Sequence, residues 1–492
     1  MTLRLFAKTL LLLGVFSTIS YGIRVESLSA QTKTPTIKTG GMPTIKDGSK
    51  VIERTLLLRP ATAVTDVDNR LYPSAALMRP GDAAPIFLRI NSENIAWRKA
   101  INQLNLEALL DTNIQDLNVE EIELAPTSVI RSEMRRLVFR RTAGWQYPIF
   151  EEPHFSILLP DVQESRGYVR AMTTFARAAI LKGDIPKAEE WLLYSTGLAR
   201  HVGEGPFAIV QMVRAAETND ALNVTEELIQ HPSSSNYYWD LTAIPSPTSS
   251  IRDSATFESA GWENTIVALK NLDALKLEEQ WTALAGQIQA YLSELTPSKS
   301  SSLLDADWIK HARNQLPTAM PAAADRVPQM SDAEVSVRYW WIRTQHFTHK
   351  IRALATLKPH QAIEQLRNLD TAGLVVAENE AVVDIGLDTL VTSMVLQLTL
   401  LEQHIEMLRA IESIRDWSAK NGGKLPNKLE LLELPIARDP LSDQPFVWKL
   451  SDDGKEGVLS GLIPGFSNKG FSNKFVGGGW SEAGRVYRIV ID

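Results

Sequence analysis

The chain has 492 residues, a formal net charge of −7, 44% hydrophobic and 22% charged residues, and no cysteine. This length supports a sizeable core without disulfides, and the lack of Cys removes thiol catalysis, Cys-ligated zinc and iron–sulfur chemistry. The acidic balance, with no long run of Lys or Arg, leaves no electrostatic footprint for nucleic acid.

Arg4 and Lys8 flank the start of an uncharged, Leu-rich stretch over residues 9–23, and small residues then offer cleavage after Gly22 or after Ala30. This is the pattern of a secretory leader over residues 1–30, with a destination in the periplasm or outside the cell. The uncharged stretch is 15 residues, and a spanning helix needs ~20. An uncleaved membrane anchor, lengthened by a snorkelling Lys8, is the alternative.

Residues 31–50 are polar and rich in Thr, Lys and Gly, which predicts a flexible linker. Residues 51–59 read as a strand halted by Pro60. In residues 95–110, Ile95, Ala96, Ala100, Ile101, Leu104 and Ala108 fall at helical spacing. Further helices are predicted over 128–141, 162–181, from Pro186 to about 202, and over 207–230. Gly183-Asp184 and Gly203-Glu204-Gly205-Pro206 separate the last three. Breaks at 245–250, 296–302 and 317–328 flank two more helical stretches, 262–295 and 333–357. The last break is a possible domain boundary. With no fixed period, residues 51–385 are expected to form an irregular helical bundle or helical-hairpin array in a mainly α protein.

Residues 386–492 are organised differently. Leu387, Val391, Met394, Leu398, Leu401, Ile405 and Leu408 form an apolar stripe on a long helix, either a buried packing face or a short dimerising coiled coil. Asn421-Gly422-Gly423 ends that helix. A short helix at 426–434 and strands at 446–450, 457–462 and 485–491 are then expected to form a small antiparallel sheet.

Landmarks in this order carry a resemblance: Leu58-Arg59-Pro60-Ala61, Arg79-Pro80-Gly81-Asp82-Ala83-Ala84-Pro85, Gly144-Trp145, Leu158-Leu159-Pro160, the stretch His201 to Pro206, and Tyr238-Trp239-Asp240-Leu241-Thr242 before Pro245. Together they resemble a group of exported, helix-rich proteins of planctomycete-type bacteria. That resemblance implies architecture and compartment, and no activity. Asn421-Gly422-Gly423-Lys424-Leu425-Pro426, followed by Asp439-Pro440-Leu441 and Gln444-Pro445-Phe446, is locally similar to the head of major pseudopilins of type II secretion. The cassette stands at the opposite end of the chain and lacks the methylated N-terminal helix. Asp452-Asp453-Gly454 reads as a hairpin turn rather than a calcium loop.

Candidate chemistry is sparse. His346 and His349, three apart on a helix beside Trp340 and Trp341, could share a face and hold a metal, but nothing marks a third ligand. Asp305 and Asp307 could do acid–base work, although Asp before a helix is ordinarily a cap. Gly479-Trp480-Ser481-Glu482-Ala483 lacks the second Gly and the later His of a nucleophile elbow. The run Gly465-Phe466-Ser467-Asn468-Lys469 repeats at once from Gly470 to Lys474 and reads as a loop insertion. Twelve tryptophans are scattered over the chain as packing anchors or sugar platforms.

No residue stands out as catalytic, cofactor-binding or metal-ligating, and no cofactor is expected. The leading expectation is an exported, non-enzymatic helical protein that contacts a protein partner in the cell envelope or acts as a scaffold there. No nucleic acid is expected as partner, and membrane contact only through an uncleaved leader. The alternatives are an exported hydrolase using Asp305, Asp307, His346 and His349, or a small-ligand binder with a tryptophan-lined groove.

Overall fold

The computed structural model describes residues 37–38, 44–46, 49–65, 69–125, 127–149, 152, 154, 157–295, 302–367, 375–377, 380–381, 387–463 and 484–491. The expected leader, the Gly465–Lys474 repeat and the Gly479–Ala483 run lie outside them.

The chain enters through strands β1 (Thr44–Lys46) and β2 (Ser49–Leu58), with β3 (Arg79–Asp82) and β4 (Arg140–Thr142) forming a small parallel ribbon later. Helices α1 (Ala84–Glu93), α2 (Ile95–Gln103), α3 (Leu106–Asp111), α4 (Val119–Glu123) and α5 (Thr127–Val138) occupy the loop between β3 and β4. The helix expected over 95–110 is thus two. Asn105 interrupts it by turning its side chain onto the Ala108 N–H as an N-cap.

Three long helices follow, as the Gly breaks predict: α6 (Pro160–Lys182), α7 (Ile185–Val202) and α8 (Ala208–Leu228). Gly183, at φ +74°, ends α6 in the left-handed conformation, and Asp184 caps α7. Short α9 (Tyr238–Thr242), α10 (Ile251–Ser259) and α11 (Gly261–Thr265) lead to α12 (Glu278–Leu295), α13 (Ala306–Ala319), α14 (Asp332–Leu354) and α15 (Pro359–Arg367).

The single helix expected over 262–295 is broken by a 3₁₀ stretch, Val267–Ala274, in which Asn271 leaves helical φ/ψ. The break expected at 317–328 is mostly helical. Pro317 sits inside α13, and a 3₁₀ stretch, Pro321–Gln329, buries Ala323 and Val327 in a second core with Trp262, Trp281, Trp308 and Trp340.

A two-stranded ribbon, β5 (Val375–Ala377) and β6 (Glu380–Ala381), precedes the long α16 (Leu387–Lys420). The glycines that end α16 hold φ +67° (Gly422) and +79° (Gly423). The short helix expected at 426–434 is only a 3₁₀ turn, Leu429–Leu431. Pro435 and the extended Lys428 leave too few residues for an α-helical turn to propagate. Strands β7 (Val447–Leu450), β8 (Glu456–Ser460) and β9 (Gly484–Ile491) close the chain, with Gly454 in the hairpin turn at φ +70°.

The mainly α class holds, but the sheet is mixed rather than antiparallel. Its order is β1-β2-β9-β8-β7, and β2 pairs with β9 in parallel from Val51↔Gly484 to Leu58↔Ile491. Periodicity within the C-terminal strands carries no information about a strand more than 400 residues upstream. Part of the expected linker is also ordered. Ile37 is buried, and Gln230 treats the chain at Lys38 like a neighbouring strand, accepting from its N–H and donating to its carbonyl. Those bonds supply the enthalpy that the polar composition lacks.

The inward face of the sheet (Leu56, Leu58, Tyr487, Ile489) joins one core with α6, α7, α8 and α16. Residues 36–492 accordingly form one compact unit. Helix α16 is covered nearly all round. The predicted stripe from Val391 to Leu408 is buried within this chain, its continuation Glu412 and Arg415 is buried too, and so are Leu396, Gln403, Met407 and Ile411 on the opposite face.

Candidate functional site

The four sequence suspects are not brought together. Asp305 and Asp307 are exposed, and the Asp305 carboxylate accepts the Asp307 N–H at 2.9 Å as the N-cap of α13. His346 and His349 are exposed on α14. The Asp305 end of α13 meets α14 near Ser336, where Ser336 Oγ donates to the Leu303 carbonyl and Trp308 Nε1 donates at 2.8 Å to Ser336 Oγ. Ser336 lies ten residues before His346, about 15 Å along a helix. Among the described residues no group of three His, Asp or Glu side chains could hold a metal ion. Trp97, Trp191, Trp262, Trp308 and Trp340 are fully buried packing anchors.

What the fold does bring together are the family-like landmarks. Asp82 accepts the Ala84 N–H at 2.9 Å, ahead of α1, and the Gly144 N–H at 2.7 Å. A Cβ on Gly144 would lie 2.9 Å from Asp82 Oδ2, so a larger residue there requires that carboxylate to shift. Trp145 Nε1 donates to the His201 carbonyl (2.8 Å), and Glu204 accepts the Ala143 N–H (2.6 Å). Asp240 accepts the Arg70 N–H and, at 2.9 Å, Arg70 Nη2. The Ala143–Trp145 and His201–Glu204 landmarks meet at the C-terminal end of α7, while Arg70 holds Asp240 beside Glu189 in the N-terminal half of that helix.

That convergence frames a cleft of about 600 Å³ lined by segment 69–78, the end of α7 (Arg200, Gly203, Glu204), Arg214 of α8, and Ala243 and Pro245. Arg70 pins one wall to Asp240, and Thr196 Oγ1 pins it again by donating to the Leu71 carbonyl at 2.6 Å. A separate small pocket shares Tyr72, Arg200, Arg214 and Pro245 with the cleft and is lined also by Ile244, Leu401 and Ile405.

The charges in the cleft have different fates. Arg200 is engaged by protein: its Nη2 donates to the Val138 (3.2 Å) and Arg140 (2.6 Å) carbonyls, where the end of α5 presents unpaired acceptors. Its Nη1 lies 3.8 Å from Glu204. Glu204 is fixed by the Ala143 N–H and by His201 Nδ1 at 2.9 Å. Burial, reinforced by Arg200, lowers the His201 pKa, so that ring is neutral near pH 7. Burial also raises the Tyr72 pKa and keeps its phenol protonated.

Arg214 is the exception. Its stem crosses Gly203 so closely that a Cβ there would lie 2.1 Å from Arg214 Cδ. Its guanidinium reaches the cleft without an ion pair to any described carboxylate. Burial, the largest influence, lowers its pKa, yet an arginine stays charged. The sequence held one signal for it, a lone Arg in the otherwise apolar run Met212–Ala216 of α8, and lone charges on helices are too common to single it out.

A second charged cluster lies wholly inside. Glu226 on α8 meets Arg54 Nε at 2.9 Å, Arg485 Nη1 at 3.2 Å, Tyr487 Oη at 2.6 Å and His404 Nε2 at 2.9 Å. Desolvation pushes its pKa up, but Arg54 and Arg485 together hold it well below the usual carboxylate range. Burial first, then Arg485, pushes His404 down to about 4. Glu217, nine residues earlier on α8, shows the opposite shift. It is buried, accepts from Ser165 Oγ at 2.6 Å through one oxygen, and has no partner at Oε2, so desolvation pushes it up to about 8.

No known family model matches the chain, and neither a curated protein nor a solved structure matches it.

Proposed function

We propose that this is an exported binding protein, acting by contact rather than by a reaction of its own, and that the cleft at Arg214 is where an anionic group of its ligand or envelope partner seats. The observation that supports this reading is Arg214, which the fold holds in the lining of an open cleft with no ion pair to a described carboxylate, Glu204 acting on it only from a longer range. A desolvated cation binds anions more strongly than a solvated one, because competing water is reduced. Contact is favoured over catalysis because, among the described residues at the cleft, Arg200, His201 and Glu204 are held by backbone groups and by each other. Export rests on the leader pattern of residues 1–30.

Titration calorimetry of the purified protein at low ionic strength, with acetate, sulfate and phosphate, tests the binding reading. Saturable binding of at least one anion, lost in Arg214→Gln, is expected. Equal heats in the variant, or none in either protein, would overturn it. N-terminal sequencing of protein recovered from the envelope tests export. A start at Ile23 or Gln31 is expected, and an intact Met1 in a cytosolic fraction would refute it.

A further inference from the structure

The cleft holds two guanidiniums, Arg200 and Arg214, and one carboxylate, Glu204, which leaves a single net positive charge among the described residues that line it. Resting on the binding reading above, we propose that this cleft selects a monocarboxylate carried on a small apolar body, in preference to phosphate or any other dianion.

The geometry of three side chains carries the argument. The Arg214 fork matches the two oxygens of a carboxylate in one plane. Glu204 cannot turn away from an incoming anion, because the Ala143 N–H and His201 Nδ1 hold its two oxygens at 2.6 and 2.9 Å. A second negative charge on the ligand therefore meets a fixed carboxylate at close quarters, and like charges in a partly desolvated cleft repel strongly.

The rest of the lining fits the body of such a ligand. Pro73, Ala75, Met78, Ala243 and Pro245 present apolar surface. Tyr72 adds a neutral phenol, able to donate to the same carboxylate. The volume of about 600 Å³ lies within the range of small-molecule sites. Gly203 is part of the device. Its φ of −67° is open to any residue, so glycine is required there only because the Arg214 stem occupies the place of a Cβ.

The carboxylate could belong to a free acid or to the end of a peptide chain, and the probes separate these sources. Calorimetry on the full protein compares hexanoate, adipate, inorganic phosphate, and an N-acetylated dipeptide with free or amidated C-terminus. Hexanoate is expected to bind more tightly than adipate or phosphate. Added binding of the free-ended but not the amidated peptide assigns the site to chain ends, and hexanoate alone assigns it to free acids.

Arg214→Gln and Gly203→Ala are each expected to weaken hexanoate roughly tenfold or more, the loss of a charge-assisted pair. The isosteric Glu204→Gln is expected to remove the discrimination against phosphate. Phosphate or adipate binding as tightly as hexanoate to the unaltered protein overturns the selectivity while leaving the binding reading intact, and needs no variant to fold. A phosphate-to-hexanoate ratio unchanged in folded Glu204→Gln overturns it too. Absence of binding by every anion overturns both.

Discussion

Helix α8 carries two charged sites, and they teach opposite lessons. At Glu226, two arginines, a histidine and a tyrosine from β2, β9 and α16 surround one carboxylate, and every group is buried. Three turns earlier on the same helix, Arg214 stands in a cleft with no described carboxylate paired to it. Burying an ion is tolerable only when its partners replace the lost water, so the first site is committed to holding the fold. At the second, carbonyls hold the neighbouring Arg200, the Arg214 stem crosses Gly203, and Arg214 has no ion pair to a described carboxylate.

The comparison breaks most sharply at the hub. Glu226→Ala strands Arg54 and Arg485 in the core and should destabilise by about 3–5 kcal/mol, read by urea unfolding. A loss below about 1 kcal/mol would mean that water reaches the cluster and that it is no hub.

Titration of the interior comes next. Glu217 has a folded pKa of about 8 against 4.5 unfolded, so stability falls as pH rises from 4.5 to 8. Each unit of separation is worth about 1.4 kcal/mol. Glu217→Gln should flatten that decline and raise stability at pH 8 by a few kcal/mol on this scale. An identical pH slope in variant and parent would contradict the burial argument.

His404 acts on the other side. Its folded pKa is about 4 against 6.5, so its contribution is complete above 6.5 and is lost as pH falls toward 4. Acid titration of His404→Gln should show a shallower loss over that window than the parent.

The smallest expected effect sharpens the contrast most. Arg214→Gln should leave stability within about 0.5 kcal/mol of the parent, as substitutions away from structural partners do. A cost comparable to Glu226→Ala would make Arg214 a structural group after all.

Much of the scaffold was legible in the chain. The Gly breaks at Gly183 and Gly203, the apolar spacing of α6 to α8, the stripe on α16 and the Gly422-Gly423 stop are all local signals, set by φ preference and period. The cap at Asp305 was readable for the same reason. The site was not. Arg214, Arg200 and Tyr72 are unremarkable in sequence, and what distinguishes Arg214 from Arg485 is which distant segment supplies a carboxylate.

The helical landmarks mark the middle ground. Gly144, Glu204 and Asp240 stood out as motif positions, but their roles emerge only when α7 brings β4 and segment 69–78 to one place. The sequence by itself determined a mainly α, cysteine-free chain with a leader pattern, because those properties depend on composition and on neighbours within a few residues. Tertiary structure decided the parallel joining of β2 to β9, the burial of α16 nearly all round, and which charges are paired. Those outcomes depend on contacts between residues hundreds of positions apart, and no local pattern encodes them.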